Sequence, residues 1–126
     1  MARKKSLNLT DAELRLMEVV WEKGEATVFE VVENLPKSIP LSYSTVLTTL
    51  RILENKGYVR HRKEGRAFVY CPVVGREQAR ESATTHLLRR FFDNSPELLM
   101  LSLVEGKKIN AKELARLRKR IEEDKR

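Results

Sequence analysis

The sequence predicts a mainly α chain with one small β-hairpin wing, and three observations predict it. Amphipathic stretches, most of them opened by a capping residue, recur along most of the 126 residues. One stretch, residues 58–71, changes to the two-residue alternation of strands and turns at Gly65. That stretch is dense in Arg and Lys, and it follows directly on a helix whose outer face is polar. A helix and a basic hairpin in this order make a winged helix-turn-helix, an arrangement that meets duplex DNA. The apolar stretches that follow read as a C-terminal helical dimerisation region. The expected domains are therefore 1–75 for DNA binding and 76–126 for dimerisation.

Thr10 opens the first helix, with Glu13 three residues on in capping-box spacing. Leu14, Met17 and Trp21 recur on one face, and Gly24 ends the helix. A second box, Thr27 with Glu30, starts a short helix carrying Val28, Val31 and Val32, which stops before Pro36. Two prolines in residues 36–40 demand a turn or an extended link. Ser42 or Ser44 caps the third helix. Its Val46, Leu50 and Leu53 face inward, while Ser44, Thr48, Arg51 and Asn55 share the opposite side. Gly57 supplies the positive-φ stop.

Tyr58–Lys63 and Ala67–Cys71 form the hairpin, with Phe68 and Tyr70 on one face and Val69 on the other. Ala79, Ala83 and Leu87, with Leu88, Phe91 and Phe92 beside them, place a helix from Arg76 to about Asp93. Ser95 and Pro96 are a good cap and first residue for the next, which holds the apolar run Leu98–Val104. Asn110 and Glu113 box the last helix, with Leu114, Leu117 and Ile121 along its stripe. The basic start (Arg3, Lys4, Lys5) and the tail after Ile121 read as loose ends.

The totals set limits on function. Hydrophobic residues are 41% of the chain, enough for a core, and the net charge of +7 with pI near 9.8 favours an anionic partner. The charge is unevenly placed. Residues 10–35 hold Arg15 and Lys23 against seven acids, whereas residues 36–70 hold seven bases against Glu54 and Glu64. One defined binding face follows, rather than general stickiness. Cys71 is the only cysteine, so an internal disulfide is excluded and a reducing cytoplasm is expected. The basic N-terminus lacks a signal peptide's apolar core, and no apolar run approaches the ~20 residues of a membrane span.

The polar stripe of the third helix is the sharpest functional signal. A merely solvated face would carry Glu and Lys; short hydroxyls, one Arg and one Asn suit base edges and phosphates better. Arg51 and Asn55 are candidates for phosphates or for bases deep in the site. Tyr43, Ser44, Thr45 and Thr48 are candidates for the backbone or for thymine methyls. Arg60, His61, Arg62, Lys63 and Arg66 stand near the hairpin tip, where bases grip flanking phosphates and add affinity rather than sequence choice. The apolar helices hold more surface than about fifty residues can bury alone. Leu87, Leu88, Phe91, Leu98, Leu99, Leu101, Leu103, Val104, Leu114, Leu117 and Ile121 are therefore expected in a homodimer core.

Cys71 reads as an inert thiol, and His61 and His86 have no partners at metal-ligand spacing, so no metal or cofactor is expected. No Gly-rich phosphate loop or catalytic signature is present, so an enzyme is not expected. The rival from another class is a winged helix whose hairpin grips an acidic protein partner.

These residues resemble the penicillinase-repressor (BlaI/MecI) family of bacterial transcription regulators. The likeness rests on residues 9–35, residues 41–72, which join helix and wing at the family's spacing, and residues 98–121. The resemblance implies a dimeric repressor on a dyad operator. It implies DNA-reading positions at Tyr43, Ser44, Thr45, Thr48, Thr49 and Arg51, with Arg62, Lys63 and Arg66 in the wing. It also implies release by cleavage in the dimerisation region, by a membrane sensor protease that detects a β-lactam. The well-known members are cut at an Asn-Phe bond, where this chain has Ser102-Leu103. That departure leaves Ser102 and Leu103 as the candidate cleavage residues, while the resemblance no longer carries over the protease specificity or the β-lactam signal. The ending KRIEEDKR lacks the cysteines of copper-sensing relatives, so copper sensing is not expected.

Overall fold

The computed structural model describes residues 8–124. In chain order the elements are α1 (Asp11–Lys23), β1 (Ala26–Thr27), α2 (Val28–Asn34), α3 (Tyr43–Lys56), β2 (Val59–Glu64), β3 (Ala67–Pro72), α4 (Arg76–Phe91), α5 (Pro96–Glu105) and α6 (Ala111–Asp124). The expected basic arm at Arg3, Lys4 and Lys5 lies outside the described residues. The tail is helical as far as Asp124, so α6 continues past Ile121, where the sequence expectation ends it.

Local chemistry explains the boundaries. Thr10 and Glu13 close a reciprocal capping box on α1, as Thr27 and Glu30 do on α2 and Asn110 and Glu113 do on α6. Ser42, not Ser44, caps α3: its hydroxyl accepts from the Thr45 N–H. Gly57, at φ 88°, ends α3 in a left-handed turn. There Gly57 N–H bonds Glu54 O and Tyr58 N–H bonds Leu53 O.

The sheet is antiparallel in the order β1-β3-β2. β2 and β3 pair from Val59↔Pro72 to Glu64↔Ala67, which leaves Gly65 and Arg66 as a two-residue loop. Gly65 takes φ 61° at the first loop position, the conformation such tight hairpins require. β1 adds Ala26↔Tyr70 and Thr27↔Val69. The sequence expectation lacks this third strand, because two residues are too few to show a period.

The chain divides into two compact units between Ala83 and Thr84, past the expected boundary at 75/76. The start of α4 belongs with the first unit. Arg76 there bonds Glu18 at 3.0 Å and lies over the Trp21 ring, while Ala79 packs against the core. The core of the first unit joins Leu16, Met17 and Val20 of α1 to Val28 and Val31 of α2. Val46, Leu50 and Leu53 of α3 and Val59 and Tyr70 of the hairpin complete it. The inward face of α1 thus runs through Leu16, Met17 and Val20. Leu14 is exposed and Trp21 only partly covered, which corrects the expected Leu14–Met17–Trp21 face. Trp21 instead uses its indole N–H to hold Val74 O at 2.9 Å, fixing the chain after β3.

In the second unit, α5 is capped by the Ser95 hydroxyl on Leu98 N–H, with Pro96 as its first residue. No residue of α4, α5 or α6 is buried. Leu87, Phe91, Leu98, Leu101, Val104, Leu117 and Ile121 are exposed, and Leu88, Leu99, Leu103 and Leu114 are only half-covered. No helix among the described residues is long and apolar enough to cross a membrane.

Candidate nucleic-acid interface

The candidate interface begins with α3, whose two faces have opposite fates. Val46, Leu50 and Leu53 have no accessible surface, while Ser44, Thr48, Arg51 and Asn55 are exposed. At the helix start the hydroxyls serve the fold in part. The Ser42 hydroxyl donates to Thr45 Oγ1 at 3.0 Å and lies 3.3 Å from that of Ser44, and Thr49 Oγ1 donates to Thr45 O at 2.8 Å. Thr49 is half-buried and bound to its own helix, so of the sequence-expected α3 positions it presents least to a ligand. Tyr43 stands 52% exposed at the helix N-terminus. Among the described residues, Thr48, Arg51 and Asn55 hold no hydrogen bond or ion pair.

The wing is locked to this helix. His61 of β2 meets both carboxylate oxygens of Glu54 through Nδ1, at 2.8 and 2.9 Å. The same ring rests edge-on to Phe68 at 5.3 Å and tilted on Tyr70 at 5.5 Å. Burial pushes the Tyr70 phenol pKa up, and the Glu54 carboxylate adds to that. His61 is thereby a bracket between α3 and the wing. Nothing in the sequence marks Glu54 as its partner, because they meet only once the helix turns into the hairpin.

Alternation along β2 puts Lys63 on the His61 side, and Arg60, Arg62 and Glu64 on the other. Lys63 and, at the loop, Arg66 are exposed and carry no ion pair among the described residues. Arg62 differs. Its guanidinium donates from Nη1 and Nη2 to the two oxygens of Glu25, at 2.8 and 2.9 Å, and from Nε and Nη2 to Glu64 at 2.9 and 2.7 Å. The Cys71 thiol completes the cluster, 3.4 Å from Arg62 Nη1 and 3.5 Å from Glu25 Oε2. Arg62, and to a lesser degree Cys71, lower the Glu25 pKa to about 2, and the two carboxylates push the Arg62 pKa further up. Lys56, one of the bases counted in the positive stretch, is turned inward. It bonds the buried Glu13 at 2.8 Å and so ties the end of α3 to the start of α1.

Comparison with known proteins settles the ancestry of this helix-and-wing geometry. The model of the penicillinase repressor family matches residues 9–123. The chain belongs to the penicillinase repressor family. It is 33% identical over 122 residues to the penicillinase repressor of Bacillus licheniformis, covering 97% of this chain and 95% of that one. With the transcriptional regulator BlaI of Mycobacterium tuberculosis (strain CDC 1551 / Oshkosh) the identity is 31% over 119 residues, covering 80% and 86%. Among solved structures, the DNA-binding domain of the repressor BlaI matches with a TM-score of 0.52 and 37% identity. That match covers 60% of this chain and 93% of that one. The fold of this penicillinase repressor relative is the winged helix expected from its sequence, with β1 added.

Proposed function

We propose that the chain is a homodimeric transcriptional repressor that works in the cytoplasm, reading a near-palindromic operator through α3 and gripping its flanks with the wing. The observation that carries this reading is the exposed Thr48–Arg51–Asn55 stripe, unengaged by the protein and flanked by Lys63 and Arg66. Buried faces make α3 rigid, and its polar face keeps its hydrogen-bonding capacity for a partner. Tyr43, Ser44 and Thr45 at the helix start complete the reading set. The relatives support the same reading, since those named above are repressors and regulators. Catalysis, metals and cofactors have no part in it.

The dimer half of the proposal rests on the uncovered apolar side chains of α4–α6. A second copy would bury them, and its two-fold axis would set two α3 helices about one helical turn, ~34–36 Å, or a multiple of it apart. Ser102 and Leu103 lie inside α5, a helix with no buried residue of its own. Release by a membrane sensor protease fits that placement, because α5 is held by little until dimerisation covers it.

Fluorescence anisotropy with the protein's own upstream DNA tests the reading. The expected result is a preference of about a thousandfold or more over scrambled duplex, with affinity falling steeply as salt rises. Equal weak binding to both duplexes would favour an acidic protein as the partner of the hairpin.

A further inference from the structure

The wing carries bases on both faces, but the two faces differ in what they can offer a phosphate. On one, Lys63 is unengaged, and Arg66 at the loop is equally so. On the other, Arg60 is exposed near the start of the strand, but Arg62, closer to the tip, is held by two carboxylates from different parts of the chain. Glu25 lies in the turn before β1, thirty-seven positions away, and Glu64 lies two positions along the same strand. The charge of this cluster is one base against two acids, so it repels phosphate as a unit. Its geometry is the two-pronged fork that makes Arg–carboxylate contacts strong, with Nη1 and Nη2 each on one Glu25 oxygen at 2.8 and 2.9 Å. A phosphate reaching Arg62 would have to displace that fork and then sit beside both carboxylates.

We propose that Arg62 is no phosphate contact: Glu25 and Glu64 sequester it in a clamp that lowers affinity for random duplex, so wing contacts to phosphate fall to Lys63, Arg66 and Arg60. This rests on the repressor reading above. Its consequence is specificity. Non-specific affinity comes almost wholly from phosphate contacts, whereas operator affinity adds base contacts from α3. Withholding one cation from the backbone therefore lowers competition from random DNA without changing any base contact. The clamp is solvent-exposed, so it tips a balance and does not bar Arg62 absolutely.

Salt dependence counts phosphate contacts directly: each adds about 0.9 to the slope of log affinity against log salt. Over a fourfold rise in salt, one contact is worth an about three- to fourfold extra loss of affinity. The experiment is anisotropy of the full chain on operator and random duplex at several salt concentrations, with circular dichroism melting to confirm that each variant is folded. Arg62→Ala is expected to keep the wild-type slope, while Lys63→Ala lowers it by about one. The double variant Glu25→Gln/Glu64→Gln leaves Arg62 in place and uncovers it. Binding to random duplex is expected to tighten and its slope to steepen by about one, with the operator-to-random ratio falling. A loss of about one slope unit in Arg62→Ala, matching Lys63→Ala, would overturn the clamp and place Arg62 on a phosphate. An unchanged slope in a folded double variant would overturn it as well. If the wild-type chain shows no salt-dependent duplex binding at all, the repressor reading itself falls, a result distinct from either.

Discussion

Among the described residues, every buried side chain lies between Glu13 and Tyr70, and none lies in α4, α5 or α6. The contrast is not one of composition, for α5 (PELLMLSLVE) is more apolar than any helix of the first unit. What differs is what the apolar residues meet. Val46, Leu50 and Leu53 of α3 meet α1, α2 and the hairpin, and each buried side chain of that size contributes roughly 1.5–3 kcal/mol. Leu98, Leu101 and Val104 stand 46%, 48% and 43% exposed, so somewhat less than half of that contribution is still available to whatever covers them. One unit is complete within a single chain. The other leaves its apolar side chains uncovered, and in the reading proposed above a second copy covers them.

The sharpest way to break this comparison is to damage each unit at one Leu. Leu50→Ala is expected to lower the stability of the first unit by about 2–5 kcal/mol, read from urea unfolding and independent of protein concentration. Leu101→Asp is expected to leave the first unit within about 0.5 kcal/mol of wild type, yet to give monomers in sedimentation and to weaken operator binding. A Leu101→Asp protein that stays dimeric would show that the copy docks on another face.

Next in size is the tie between α1 and α3. Glu13 is buried, accepts from the Thr10 N–H and holds the Lys56 ammonium. Glu13→Ala removes one side of the capping box and leaves Lys56 half-covered without its partner. A loss of about 1–3 kcal/mol in the first unit is expected. The second unit has no ion pair of this kind among the described residues; Arg118–Glu122 joins two exposed positions one turn apart, and Arg118→Ala is expected to change nothing measurable.

How much of this was legible beforehand follows the same division between local and distant. Caps are local, so Thr10–Glu13, Thr27–Glu30, Ser95–Pro96 and Asn110–Glu113 mark their helices within four residues. The two faces of α3 were legible for the same reason. Distant contacts were not. Leu14 reads as core by spacing, but Leu16 and Val20 take the interior once α1 is laid against α2 and α3. Arg62 reads as a wing base, but Glu25 is brought to it only by pairing β1 with β3. Glu54 and His61, and Lys56 and Glu13, become partners by the same kind of closure.

A smaller effect sharpens the account of the second unit. α5 ends in a left-handed turn, with Lys108 N–H on Leu103 O, but the residue at positive φ is Lys107 (φ 57°), not the neighbouring Gly106. A Lys there bears the steric cost that Gly avoids. Lys107→Gly is expected to stabilise this unit by about 0.5–1 kcal/mol, seen as a higher melting temperature of the full chain. A lower one would mean that the Lys side chain makes contacts that outweigh the relief of its backbone.

The smallest effect is a pH dependence confined to the first unit. The Glu25 pKa is about 2 in the folded chain, chiefly through Arg62, against 4.5 for an unperturbed Glu. A depressed carboxylate stabilises the fold above its unfolded pKa, and that contribution is lost as pH falls through the folded value. Wild type and Glu25→Gln should therefore differ in stability by a constant amount above about pH 5, and converge between pH 4.5 and about 2. Glu25 and Arg62 are both about half exposed, so the difference is small and shrinks further in high salt. Urea midpoints of the two proteins across pH 2–7 would measure it. Parallel curves over the whole range would mean that the fork to Arg62 does not persist in solution. The sequestration of Arg62 would then lose its support, while the contrast between the filled and unfilled units would stand.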